Sequence, residues 1–226
     1  MDGRRLILHM SGGVAVHSIE VTTRDLEGLP DARGGSVRSM LSSDHNLEVG
    51  EVRVSLGYLV KAEMSQDEVT RSVYDLFADP VIEHGSSSAA LLDPSEVFPH
   101  SPEATIQVGF KPGVTDNAGQ AGLDGLTTLF PHLAGQAQVA TTRTFMFWGL
   151  PEGTDPSELA AALHNPMIER CAIAGADDCA TARWPSLGFP DRPPAVFAEP
   201  AIVDLEVSDE QLEKISETGL LALNLN

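Results

Sequence analysis

Gly28-Leu29-Pro30-Asp31-Ala32-Arg33-Gly34 returns further along the chain as Gly113-Val114-Thr115-Asp116-Asn117-Ala118-Gly119, at an offset of 85 (Gly28 to Gly113). A second motif, Asp79-Pro80-Val81-Ile82-Glu83, returns as Asn165-Pro166-Met167-Ile168-Glu169 at an offset of 86 (Asp79 to Asn165). Two unrelated motifs that keep nearly the same offset mark a tandem duplication of one folding unit. Two copies are too few for a solenoid but suit a pair of small α+β lobes packed against each other.

Each copy reads in the same order. In the first, Ile19 and Val21 alternate with Glu20 and Thr22, the pattern of a half-buried strand. A turn through Gly28 leads to Asp31, and Val37, Met40 and Leu41 then fall on one helical stripe. Leu47 to Val60 is β-prone, and its interruption at Gly57 predicts two strands. Ser65 and Glu68 make a capping box ahead of the apolar face Val69, Val73, Leu76 and Phe77. Asp79-Pro80 ends that helix, and Val81-Ile82 begins a last strand.

The second copy repeats the plan. Ile106, Val108 and Phe110 form a strand, Pro112-Gly113 a turn, and Asp116 a helix N-cap before the stripe Leu123, Leu126, Leu129 and Phe130. Val139 to Trp148 reads as paired strands; Asp155-Pro156-Ser157-Glu158 starts another helix; Ile168 to Ala174 closes the lobe. The order β-α-β-β-α-β is the ferredoxin-like split βαβ. The expected class is therefore α+β: two tandem ferredoxin-like lobes, each a four-stranded antiparallel sheet with helices on one face. The open faces need burial, so the two sheets are expected to pack against each other.

Around these lobes (17–88 and 104–175) the chain divides into an N-terminal extension (1–16), an inter-lobe loop (89–103), a Pro-rich linker (176–202) and a resumed ordered segment (203–226). In that last segment Ser208 and Gln211 cap a helix striped by Leu212 and Ile215. Its ending, with Leu220, Leu221, Leu223 and Leu225, reads as the opening of a further linker domain. Apolar surface of that density is expected to dock on a partner chain.

The formal net charge is −19, from 33 acidic and 14 basic residues, which repels phosphate backbones and argues against nucleic-acid binding. No apolar run approaches the roughly 20 residues of a membrane-crossing helix. Two cysteines cannot form a disulfide framework, which fits a reducing cytoplasm. The seven histidines lack ligand spacing, and Cys171 reads as a small buried apolar residue. Without a phosphate loop, nucleophile elbow or zinc motif, the chain is read as carrying no catalytic residue, metal site or cofactor of its own. By turn chemistry alone, the repeated glycines serve turns and close helix packing.

Gln107-Val108-Gly109-Phe110-Lys111-Pro112-Gly113-Val114-Thr115-Asp116-Asn117-Ala118-Gly119 resembles the signature of PurS-type modules of phosphoribosylformylglycinamidine (FGAM) synthase. Phe77 to Glu83 and Leu163 to Glu169 resemble a second stretch of that module. The segment from Val203 to Leu225 resembles the stretch C-terminal to the tandem module in fused PurS–PurL chains. The resemblance implies a non-catalytic part that bridges a PurL-type synthetase and a PurQ-type glutaminase and helps ammonia pass between them. ATP and Mg²⁺ would then belong to the partner synthetase. It also implies an interface at Lys111, Pro112, Gly113, Asp116 and Asn117, with Leu212, Ile215, Leu220 and Leu221 of the tail as a second contact. One departure concerns the first copy, which reads Leu26-Glu27 where the second has Lys111-Pro112, with Arg24 and Asp25 as two extra residues upstream. The other is that the chain stops at Asn226, where fused chains continue, as a split subunit or a truncated chain would. A rival class is a free-standing tandem ferredoxin-like regulator that binds a small effector.

Overall fold

The computed structural model describes residues 9–11, 14–24, 31–87, 100–180, 185–191 and 206–219. The Gly28 turn, most of the inter-lobe loop, residues 181–184 and 192–202 of the linker, residues 203–205 and the tail from Leu220 onward lie outside them. The chain forms two units, residues 1–192 and 193–226. In the first unit a mixed α+β fold is built on one antiparallel sheet.

In chain order the described elements are β1 (His9–Ser11), β2 (Val14–Thr23), α1 (Ala32–His45), β3 (Glu51–Lys61), α2 (Gln66–Ser72) and β4 (Glu83–Ser86). The second copy continues as β5 (Ala104–Phe110), α3 (Asn117–Leu129), β6 (Gln138–Trp148), α4 (Pro156–Leu163) and β7 (Glu169–Gly175), then the short α5 (Ala176–Ala180). α2 runs on into one π-helical turn, Val73–Phe77. The second unit contributes α6 (Asp209–Gly219). The helix starts match the caps expected at Ser65, Asp116 and Asp155, and Asp31 adds one more. Ser65 and Glu68 close a full capping box, and Asp31, Asp116 and Asp155 each accept a first-turn N–H.

Two expectations are corrected. Each copy is β-α-β-α-β with three strands, because the stretches read as strand pairs are single 11-residue strands, β3 and β6. Gly57, expected to break the strand, lies in its middle. A Cβ there would come within 2.1 Å of Thr142 Oγ1 and 2.8 Å of Glu20 Oε1, so close crossing of side chains, not a turn, demands the glycine. Likewise, the two sheets do not pack face to face. They join edge to edge through β3 and β6 into a single seven-stranded sheet of order β1-β2-β3-β6-β5-β7, with β4 also on β2.

The β3–β6 ladder runs without interruption from Glu51↔Trp148 to Lys61↔Gln138. Val54 and Thr141 are equivalent, since each donates its N–H to the cap aspartate of its own copy, which sets an offset of 87 (Val54 to Thr141). At that offset Leu56 corresponds to Arg143, and these two residues pair with each other. The ladder is thus symmetric about them, with a pseudo-two-fold axis at its midpoint.

Helices α1 to α4 cover one face, the short α5 lies on the other with Cys179 against Thr105, and each core crosses the duplication. One joins Leu41 of α1 to Leu159 and Leu163 of α4 over Val52, Val54, Ile106, Phe145 and Phe147. The other joins Val73 and Phe77 after α2 to Leu126 of α3 over Ile19, Val21 and Val60. Most of these side chains are almost wholly enclosed, and each full burial contributes roughly 1.5–3 kcal/mol. On the opposite face, Phe189 packs on Val16, Leu59 and Ala140, and the Leu187 N–H donates to Gln107 Oε1. Residues 185–191, read as linker, therefore lie against the sheet.

Candidate functional site

Asp116 is the organising group of the predicted interface loop. Its carboxylate accepts from the Gly119 N–H at 2.7 Å, capping α3, and from the Thr141 N–H at 2.6 Å on β6. The Thr141 hydroxyl adds a third donor. Asp31 repeats the arrangement, accepting from the Arg33 and Val54 N–H groups. The aspartate therefore ties a helix start to the neighbouring strand, and the glycine three residues on lets them approach. A Cβ on Gly34 would sit 1.9 Å from the Val52 carbonyl oxygen, and one on Gly119 2.8 Å from that of Val139. Gly113 has φ of 91°, a conformation other residues rarely adopt. Lys111, Pro112 and Asn117 are exposed on this loop, while Asp116 is half-buried.

The loop meets the second repeated motif. The Lys111 N–H donates to the Ile168 carbonyl at 2.9 Å, and Lys111 Nζ reaches the Pro166 carbonyl at 2.5 Å. The turn 165–169 is itself closed twice. Asn165 Oδ1 accepts from the Met167 N–H, an Asx turn, and Glu169 Oε2 accepts from the Asn165 N–H at 2.7 Å. Arg143 holds the other oxygen of this nearly buried carboxylate.

The first copy builds the same turn. Asp79 Oδ1 accepts from the Val81 N–H, Glu83 Oε2 accepts from the Asp79 N–H, and Arg33 pairs with Glu83 Oε1 at 2.8 Å. The Arg24 N–H donates to the Ile82 carbonyl, as that of Lys111 does to Ile168. Arg24, read from sequence as an extra residue, thus occupies the place of Lys111, and the cation is kept in both copies. Val81 and Ile82 are not yet strand; they sit at the turn, 72% and 47% exposed. Met167 and Ile168 match them at 81% and 41%. Sequence reading missed these four as surface residues. The signal lay in their apolar character, repeated in both copies beside a proline.

A cavity of about 500 Å³ opens where β5 ends at Phe110 while β6 continues back to Gln138. Its wall includes Lys61, Lys111, Asp116, Gln138, Arg170 and Phe189. Arg170 donates to the carbonyls of Phe110, Leu187 and Gly188, and burial lowers its pKa. Lys61 pairs with Asp191.

On the face opposite α1 to α4, Glu20 is fully enclosed, with Ser55 Oγ donating to it at 2.5 Å. Burial pushes its pKa up to about 7, and the Ser55 hydrogen bond opposes that rise. The neighbouring hydroxyls of Thr22 and Thr142 are buried without a partner. Cys179 is buried against Thr105, with its thiol pKa raised by burial, and Cys171 is half-buried.

Leu212 and Ile215 are half-buried on α6, whereas Leu220 and Leu221 lie outside the described residues. Among the described residues, no group of three or more His, Cys, Asp or Glu side chains is arranged to hold a metal ion, and no helix is long and apolar enough to cross a membrane. No protein-family model and no curated protein sequence matches the chain.

Proposed function

We propose that the chain is a non-catalytic assembly element of an FGAM synthase, with two PurS-like units that bridge a PurL-type synthetase and a PurQ-type glutaminase. The observation that supports this reading most is a convergence. Two of the stretches on which the resemblance rests, Gln107–Gly119 and Leu163–Glu169, are far apart in sequence yet meet through the Lys111–Ile168 and Lys111–Pro166 hydrogen bonds. They make one surface, tied by Asp116 and Glu169. A surface of that kind suits docking. On this reading ATP and Mg²⁺ are handled by the synthetase, and the chain assists transfer of ammonia.

The test is reconstitution. Synthetase and glutaminase are assayed for FGAM formation with glutamine or with ammonium as nitrogen source, with and without this chain. The chain is expected to raise the glutamine-dependent rate and to leave the ammonium-dependent rate unchanged. No complex and no change in either rate would overturn the proposal.

A second reading, a regulator that binds a small effector, is favoured by the cavity beside Lys111. Its volume falls in the range of small-molecule sites. Equilibrium dialysis against purine nucleotides and amino acids tests it directly.

A further inference from the structure

Glu20, Thr22, Ser55 and Thr142 gather on the face of the sheet opposite α1 to α4. The strand register sets them in two adjacent rows, Glu20 beside Gly57 beside Thr142, and Thr22 beside Ser55. All four are at most 4% exposed. Gly57 is the floor of the cluster. The point where its Cβ would stand lies 2.1 Å from Thr142 Oγ1 and 2.8 Å from Glu20 Oε1, so the two oxygens lean over the glycine from the strands on either side of it. They do not bond each other, and the buried hydroxyls of Thr22 and Thr142 have no hydrogen-bond partner. Glu20 accepts one bond, from Ser55 Oγ to Oε2. Unpaired polar atoms at such depth are costly, and a water or an ion held between them is the usual reason for their being kept.

The duplication shows which half is incomplete. Ser55 and Thr142 hold the same position in the two copies, and Gln107 stands where the first copy has Glu20. Gln107 Nε2 donates to Thr144 Oγ1 and its Oε1 accepts from the Leu187 N–H, so the amide is paired at both ends. Glu20 has only Ser55. On the flanking strand β4 its neighbours in register are Ser86, and His84 beside Thr22; among the described residues no lysine or arginine bonds it. One carboxylate and three hydroxyls make an all-oxygen, hard-donor set with a single negative charge. A single positive charge balances it. Among the described residues no group of three His, Cys, Asp or Glu side chains is there to hold a divalent ion. We infer that Glu20, Thr22, Ser55 and Thr142 bind one alkali-metal cation, in a chain whose net charge of −19 concentrates small cations around it. The inference stands apart from both functional readings above. A water would pair the hydroxyls but leave the carboxylate's charge unbalanced, and that difference decides the test. Proton and cation compete for the one carboxylate, so the proton titration of Glu20 itself is read in a buffer free of sodium and potassium.

The full chain is melted at about pH 8, above the value of about 7 at which Glu20 loses its proton, while choline chloride is exchanged for sodium or potassium chloride at constant ionic strength. Choline carries the same charge, screens surface charges equally and is too large for the cluster. The unfolding midpoint is expected to rise with the logarithm of the sodium or potassium concentration, and the ion that acts at the lower concentration is the one the cluster fits. Glu20→Gln should abolish the response. Thr22→Val with Thr142→Val, which keep the side-chain shape and remove the hydroxyls, should weaken it. Each variant is compared with itself across the salts, so a change in its own stability does not enter. Equal midpoints of the wild-type chain in all three salts overturn the inference and leave water as the occupant. A response kept in full by Glu20→Gln, or by the double valine variant, places the ion elsewhere and overturns it too.

Discussion

Leu56 faces Arg143 across the β3–β6 ladder, and the two residues hold the same position in the two copies. The duplication is therefore organised as a symmetric pair fused into one chain, with its axis at this residue pair. Because each core takes one helix from each copy, neither copy can bury its own apolar residues.

Fragments test that consequence. Residues 9–87 and 100–192 made separately are each expected to lack cooperative unfolding, because Leu41 loses Phe145 and Leu126 loses Val73 and Phe77. Mixed in equal amounts, they should recover the helical circular dichroism of the intact chain. A cooperative melt of either fragment alone would contradict the shared-core arrangement.

Asp116 carries a helix cap and the N–H of a partly buried strand residue at once. Asp116→Ala should lower stability by about 2 kcal/mol, roughly 1 from the cap and roughly 1 from the orphaned Thr141 N–H. Asp31→Ala should cost a similar amount through Val54. Urea denaturation measures both, and a loss below about 0.5 kcal/mol would show that water replaces the carboxylate.

Three glycines of related position should respond differently to alanine. Gly34→Ala puts a Cβ 1.9 Å from the Val52 carbonyl oxygen and should be severe, while Gly119→Ala, at 2.8 Å from that of Val139, should be milder. Gly35 has nothing within 4 Å, so Gly35→Ala should stabilise α1 by up to about 1 kcal/mol. Melting temperatures in the order Gly35→Ala, wild type, Gly119→Ala, Gly34→Ala, highest first, are the expected result.

Glu20 predicts a pH dependence. Its folded pKa of about 7 lies above the ordinary glutamate value of 4.5, so folding favours the protonated form. The stability it supports is fully present below pH 4.5 and is lost as pH rises through 7, by about 3 kcal/mol at most. His17, whose pKa burial lowers, acts in the opposite sense, its contribution being lost as pH falls below 6.5. The difference between wild type and Glu20→Gln cancels His17. That variant should gain relative stability between about pH 4.5 and about pH 7 and none beyond about pH 8, and a difference flat in pH would refute the assignment. The second copy already carries the amide there, for Gln107 stands where the first has Glu20 and bonds Thr144 and Leu187.

The duplication, the helix starts at Asp31, Ser65, Asp116 and Asp155, and the strand tracks of β2 and β5 are legible in the sequence, because caps, turns and apolar period depend on residues a few positions apart. Strand count and sheet assembly are not. Gly57 looks like a break until Glu20 and Thr142 are seen crossing over it, and those side chains arrive from strands 37 residues back (Glu20 to Gly57) and 85 residues ahead (Gly57 to Thr142). Alternation tells which side of a strand is apolar, but hydrogen-bonding edges carry no side-chain signature, so the edge-to-edge join of β3 to β6 is decided only when the chain closes on itself. The same holds for the paired turns. Val81, Ile82 and Ile168 read as strand residues by composition, and only tertiary structure, in which Arg33 and Arg143 hold the Glu83 and Glu169 carboxylates and the Arg24 and Lys111 N–H groups hold the Ile82 and Ile168 carbonyls, leaves them facing solvent.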